Sequence, residues 1–144
     1  RFGVPAVIAR LDVPYGPGHG WPQMMITLAQ MGIPTTISAD APNTHCFLHD
    51  RDIIGSLPYL LEQADVPPPT FNWCAPELVS IEDWTAELTK LTGVEIPLLV
   101  SEQCIPPNPV DPSKLLGLGW TPTVEWREGF REMAQSCFPD LFKG

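Results

Sequence analysis

The side chains in this sequence best equipped for chemistry lie in two short stretches. The first is His45-Cys46-Phe47-Leu48-His49-Asp50-Arg51-Asp52, where two imidazoles four residues apart sit beside a thiol and two carboxylates. Spaced in this way on a helix, two histidines can hold zinc. Here the segment reads as extended, which sends the rings to different depths. No metal site is therefore expected, and His49 is assigned a hydrogen-bonded structural role. Asp50 and Asp52 are expected to cap the following helix rather than to act as paired acids.

The second stretch is Pro5 to Pro22, PAVIARLDVPYGPGHGWP. An apolar run leads into a turn carrying Gly16, Gly18 and Gly20, with Pro14 and Pro17 between them. A helix is expected to open at Pro22, whose fixed φ suits a first helical position. Strand, glycine turn and helix is also the setting in which a G-x-G-x-x-G loop cradles a pyrophosphate. The letters do not fit that motif. Counted from Gly16, the third small residue falls on Trp21; counted from Gly18, it falls on Gln23. Two readings are left: a plain glycine-rich connection leaving the strand and, preferred here, a loop at the carboxyl end of a parallel strand, where open α/β sheets bind ligands. On that loop His19 is a candidate substrate contact.

These side chains need elements to position them. Val4 to Leu11 is apolar except for Arg10, and reads as a strand buried on both faces, with neighbours on each side. Arg10 is expected to pair with a buried carboxylate. Met24, Met25, Leu28 and Met31 fall on one side of the helix that follows. Strands are expected over Ile33–Ala39, Cys46–Leu48, Thr70–Cys74 and Ile96–Ser101. A helix from Asp50 or Arg51 to about Ala64 should bury Ile53, Ile54, Leu57, Leu60, Leu61 and Ala64, with Pro58 kinking or ending it. Ser80 to Thr92 is the clearest helix: Ser80 and Asp83 have capping-box spacing, Gly93 stops it, and Ile81, Trp84, Leu88 and Leu91 line one face. Pro112–Leu116 makes one turn. Glu125–Cys137 is a last amphipathic helix, with Trp126, Phe130, Met133, Ala134 and Cys137 inward. The Trp84 and Trp126 stripes read as core.

Composition narrows the class. With 44% hydrophobic and 17% charged residues, a chain of 144 residues is globular, with length for one domain. A net charge of −9, with eight Lys and Arg scattered along the chain, offers no basic stripe for nucleic acid. No apolar run approaches the ~20 residues of a membrane span, and the start does not read as a signal peptide. Cys46, Cys74, Cys104 and Cys137 lack C-x-x-C spacing and read as buried reduced thiols of a cytoplasmic protein. Pro67-Pro68-Pro69 and Pro106-Pro107-Asn108-Pro109 read as stiff connectors. The chain opens with Arg1 rather than Met and enters a strand almost at once, so it is expected to be the latter part of a longer polypeptide.

Four motifs in order resemble one family. Ile8-Ala9-Arg10-Leu11, then Tyr15-Gly16-Pro17-Gly18, is similar to the late strand and Tyr-Gly-Pro loop of the extended short-chain dehydrogenase/reductases, the NAD-dependent epimerase/dehydratases. Phe47-Leu48-His49-Asp50-Arg51-Asp52-Ile53 resembles their Phe-Ile-His-Val-Asp-Asp-Val segment, with Asp50 and Arg51 departing. Phe71-Asn72-Trp73, followed by Pro76 to Trp84, resembles the strand and capped helix beyond. Asp111-Pro112-Ser113-Lys114-Leu115, then Leu118-Gly119-Trp120-Thr121-Pro122, resembles the closing Asp-x-Ser-Lys … Leu-Gly-Trp-x-Pro signature.

The resemblance implies an α/β fold: the last strand or strands of a Rossmann-like parallel sheet (1–13), plus a small α+β substrate-binding lobe and closing helices (14–144). It implies NAD or NADP in the full-length enzyme, held mostly by an N-terminal Rossmann portion upstream, so no tight cofactor binding is expected of this chain alone. The catalytic Tyr-x-x-x-Lys is absent: Tyr15 is followed four residues on by His19, and Tyr59 by Gln63, so no catalytic residue is assigned. By family position, Leu11, Asp12 and Val13 would approach the nicotinamide. Val13 stands where many sugar-nucleotide enzymes have Asn, and His45 where many have Arg. Losing both argues against a nucleotide-sugar diphosphate and for a smaller or more apolar alcohol or carbonyl. Val13, His19, Trp21, Met24, Met25 and His45 are the candidate substrate-binding residues. The function expected is the C-terminal part of an oxidoreductase or epimerase/dehydratase. The alternatives are a non-enzymatic binding module and a protein that lends an exposed strand to a partner's sheet. A homodimer is a further candidate; nucleic acid and membrane are not expected partners.

Overall fold

The computed structural model describes residues 3–143. It is an α/β structure of three small sheets and five helices. Strand β1 (Ile8–Leu11) pairs in parallel with β6 (Thr70–Trp73). Strands β2 (Val13–Gly16), β3 (His19–Gly20), β5 (Thr44–His49) and β7 (Leu78–Ser80) form a mixed sheet in the order β3-β2-β5-β7. Strand β4 (Thr35–Ile37) pairs in parallel with β8 (Leu98–Val100). The helices are α1 (Trp21–Gln30), α2 (Asp50–Leu61), α3 (Ile81–Thr92), α4 (Ser113–Leu116) and α5 (Trp126–Cys137). Arg1, Phe2 and Gly144, included in the spans read from the sequence, lie outside the described residues.

The Val4–Leu11 segment is a parallel strand, but only over four residues and not buried on both faces. Ile8 and Leu11 are exposed, and β6 is its one neighbour among the described residues. Arg10 is exposed as well and makes no ion pair among the described residues. The glycine turn is not a plain strand-to-helix connection. Residues 15–16 pair with 19–20 as an antiparallel hairpin turning on Pro17-Gly18, where Gly18 has a φ of 100° that glycine alone adopts freely. Helix α1 then opens at Trp21, one residue earlier than expected, with Pro22 in its first turn.

Packing selects different faces from those the spacing named in two helices. In α1, Pro22, Met25 and Ile26 are buried while Met24 and Met31 are exposed. In α2, the buried residues are Asp52, Ser56 and Leu60, and Ile54, Leu57 and Leu61 face outward. Pro58 lies within α2 rather than ending it. Helix α3 matches its expected face, with Ile81, Trp84, Leu88 and Leu91 all buried. The Ser80 hydroxyl accepts the Asp83 N–H at 3.0 Å, and Gly93 closes the helix at φ 74°.

Two apolar clusters hold these layers. The larger joins Tyr15, Phe47, Trp84, Trp126 and Phe130 with the inner faces of α1, α3 and α5. Phe47 stands at its centre, with ring centroids 4.6 Å from Trp84 and 5.0 Å from Phe130. The smaller gathers Leu48, Leu60, Phe71, Leu115 and Trp120 beneath the β1–β6 sheet. Strand β5, buried along nearly all its length, supplies Phe47 to one and Leu48 to the other, as alternation along a strand requires.

Candidate functional site

A cleft opens where β1 runs into β2. Its narrow part, about 270 Å³, is lined by Asp12, Val13, Trp21, His45 and the stretch Ile105 to Asn108. A wider groove of about 540 Å³ adjoins it through Asp12, Val13 and Trp21, and adds Gly18, His19, Gly20, Gln23 and Met24. At the other end Pro106 leads to a hollow of about 370 Å³ between the ends of β4 and β8, bordered by Asp40 and Glu102. A fourth cavity, about 30 Å³ beneath Tyr15 and His49, is too small for an organic ligand.

Asp12 is the hinge of the cleft. One carboxylate oxygen accepts the Cys46 N–H at 2.7 Å, and the other accepts from Asn108 Nδ2 at 3.0 Å. It thereby ties the β1–β2 junction to β5 and to the proline-rich connector. Asn108 also donates its N–H to the Thr44 carbonyl at 2.9 Å, so a segment without regular structure is fixed as one wall. The proline run hid this wall: Ile105, Pro106, Pro107 and Asn108 carry no motif, and the polar Asn108 amid prolines was the one available signal.

His45 lies at the base of the narrow part, only 1% exposed. Its ring is edge-on to Trp21 at 5.2 Å and stacked beside Trp84 at 5.9 Å, and its Nε2 has no hydrogen-bond partner. Burial lowers its pKa below the ordinary histidine value, against an opposing pull from the Asp12 carboxylate. The ring is therefore uncharged at neutral pH. Among the described residues, no lysine or arginine lines the cleft, the groove or the hollow.

The other residues named from sequence divide. Val13, Trp21 and Met24 line the groove; Met25 does not, being buried in the core. Leu11 ends β1 outside the lining, leaving Asp12 and Val13 as the members of that trio at the cleft. His19 lines the groove, but its Nε2 is engaged by both Asp50 oxygens, at 2.9 and 3.0 Å. Asp50 and Asp52 do not cap α2. His49 does, its Nδ1 accepting the Arg51 N–H at 3.2 Å. Asp52 instead accepts from the Thr123 N–H and hydroxyl, each at 2.8 Å, and from the Val124 N–H at 3.1 Å. It thereby anchors the approach to α5. His45 and His49 point to different surroundings, and among the described residues no three His, Cys, Asp or Glu side chains converge as a metal set would.

All four cysteines are free; Cys46 and Cys74 are buried, and Cys104 and Cys137 are half-buried. Cys46 Sγ donates to the Val110 carbonyl at 3.5 Å; the neighbouring Cys74 thiol holds the Cys46 pKa down, while Cys46 and burial push that of Cys74 up. Cys137 Sγ accepts the Gly18 N–H at 3.1 Å and so holds the hairpin tip to α5.

No family model matches the chain. A curated relative from Arabidopsis thaliana, a trifunctional UDP-glucose 4,6-dehydratase/UDP-4-keto-6-deoxy-D-glucose 3,5-epimerase/UDP-4-keto-L-rhamnose reductase, is 25% identical over 142 residues. The match covers 91% of this chain and 21% of that protein. Among solved structures, UDP-glucuronic acid 4-epimerase of Bacillus cereus, in complex with UDP-glucuronic acid and NAD, superposes with a TM-score of 0.71 at 25% identity. That match takes in 92% of this chain and 45% of that one. The chain has the fold of the C-terminal part of extended short-chain dehydrogenase/reductase structures. UDP-glucose 4-epimerase of Thermotoga maritima shares that fold at a TM-score of 0.76 and 18% identity, covering 98% of this chain and 48% of its own. The chain thus spans under half the length of these dehydrogenase/reductase structures and about a fifth of the curated relative.

Proposed function

We propose that this chain is the substrate-binding part of an NAD(P)-dependent oxidoreductase or epimerase/dehydratase, and that its cleft takes a small uncharged alcohol or carbonyl compound. The observation that carries the substrate reading is that no lysine or arginine among the described residues lines the cleft, with a buried, uncharged His45 at its base. A diphosphate held without a cation would meet Asp12, Asp40 and Glu102 instead. The relatives named above act on or bind UDP-sugars, and the reading departs from them on this ground. Val13, Trp21 and Met24 offer apolar contact, and His45 Nε2 is the group able to meet a hydroxyl or carbonyl.

The cofactor and the proton-transfer pair belong to an upstream Rossmann portion in this reading. In the whole enzyme, hydride passes between a substrate carbon and the nicotinamide, and Asp12 and Val13 sit at the cofactor's edge of the cleft. The exposed faces of β1 and α2 support such a partner, because Ile8, Leu11, Ile54, Leu57 and Leu61 are apolar and uncovered in this chain. A cytoplasmic location is part of this reading and accords with the free cysteines.

Titration of the chain with UDP-glucose, free glucose and NADH, followed by calorimetry and by nuclear magnetic resonance, tests the reading. Neither UDP-glucose nor NADH is expected to bind with micromolar affinity, while free glucose should perturb the Trp21 and His45 resonances. Micromolar UDP-glucose binding sinks the substrate class. A binding module without chemistry is distinguished by supplying the upstream portion: turnover of an alcohol with NAD(P) then marks the enzyme.

A further inference from the structure

The head of α2 joins three features that the cleft alone does not explain. His49 is 3% exposed and caps the helix through Nδ1, which accepts the Arg51 N–H at 3.2 Å. Only a ring without a proton on Nδ1 can accept that bond, so the neutral ring carries its proton on Nε2. Nε2 lies 3.7 Å from Glu132 Oε2 on α5, and Arg51 holds the other oxygen of that carboxylate at 2.8 Å. Directly beside the cap, the Asp50 carboxylate grips His19 of the hairpin. The hairpin sits so close to it that a Cβ on Gly16 would overlap the Asp50 carboxylate. His19, Gly18 and Gly20 in turn border the groove.

We propose that His49 is a proton-operated latch: its neutral ring fixes the first turn of α2 and, through Asp50, the glycine hairpin at the groove, and its protonation releases both. A second proton goes to Nδ1. The cap then presents a donor to the Arg51 N–H, also a donor, and the first turn loses its hydrogen bond. The cationic ring turns its attraction to Glu132, in competition with Arg51. The charged and titratable groups around it are Arg51, Asp50 and Asp52 on α2, Glu132 on α5, and Tyr15 on β2, whose ring meets the imidazole edge-on at 5.2 Å. Glu77 lines the small cavity that His49 and Tyr15 share. Burial and Arg51 oppose the charge while Glu132, Asp50 and Asp52 favour it, and the balance lies on the neutral side. The latch follows from these contacts and does not depend on what the cleft binds.

The test is nuclear magnetic resonance on the whole chain between pH 7.5 and 5. At pH 7.5 the His49 ring should show the Nε2–H tautomer. As it titrates, exchange at the Arg51 and Gly18–Gly20 amides, corrected for the intrinsic rate, should rise about tenfold with the same midpoint. His49→Asn keeps a cap oxygen but cannot titrate, and should hold those amides within about twofold over the range. A charged His19 would grip Asp50 more tightly, so an effect originating there has the opposite sign. An Nδ1–H tautomer at pH 7.5, hairpin amides that ignore the His49 midpoint, or an unchanged rise in His49→Asn overturns the proposal.

Discussion

At the scale of single residues, two buried imidazoles set how the protein responds to acid. His45 and His49 are both held below the ordinary histidine value, by burial in the first place. The unfolded chain, with histidines near ~6.5, therefore binds more protons than the folded one once the pH falls beneath that value. Their contribution to stability is complete above about pH 6.5 and is lost as the pH falls toward the depressed folded values. The midpoint of chemical denaturation should drop between pH 7.5 and 5.5. His45→Phe, which fits between Trp21 and Trp84 and deserts no hydrogen bond at Nε2, should reduce that drop; an equal drop in the variant refutes the assignment. Asp52 works in another way. It is 2% exposed and accepts three hydrogen bonds from Thr123 and Val124. Asp52→Asn turns an acceptor into a donor facing an N–H, and should cost about 2 kcal/mol in denaturant unfolding.

At the scale of elements, the chain was legible where local signals and packing agree. Helix α3 has its cap, its stop and one apolar stripe in sequence, and the structure uses all three. Ser80→Ala should accordingly lower stability by about 1 kcal/mol, measured as a shift in denaturation midpoint at constant slope. Helix α2 has an equally regular stripe, yet Ile54, Leu57 and Leu61 face outward while Asp52 and Ser56 are buried. Periodicity shows that a helix has an apolar face but not what covers it, and Asp52 is drawn inward by hydrogen bonds to residues 71 and 72 positions away. The cap of α2 was missed for a related reason: two aspartates in the first turn masked the histidine before them. The hairpin was hidden in a glycine run read as one turn, and half the cleft wall in a proline run read as a connector. Both depend on long-range partners, Cys137 for Gly18 and Asp12 for Asn108, that no local pattern announces.

At the scale of the whole molecule, apolar surface is left uncovered in more than one place. Met24, Met31, Ile33, Leu99 and Val100 are exposed on and beside α1 and the β4–β8 sheet, and Val4, Ile8, Leu11, Ile54, Leu57, Leu61 and Val66 on and beside β1 and α2. β1 also has a free parallel edge among the described residues, the kind of edge that accepts another strand. Under the proposed function this face meets the upstream Rossmann portion, and the consequence can be separated from folding. Exposed side chains contribute little to the stability of the chain itself, so Ile54→Glu combined with Leu61→Glu should change its unfolding free energy by less than about 1 kcal/mol. The same pair places two carboxylates in an apolar contact, and should abolish copurification with an upstream portion expressed alongside. Retained copurification would mean that α2 faces something else. A collapse of stability in the isolated double variant would mean that its outer face is packed after all.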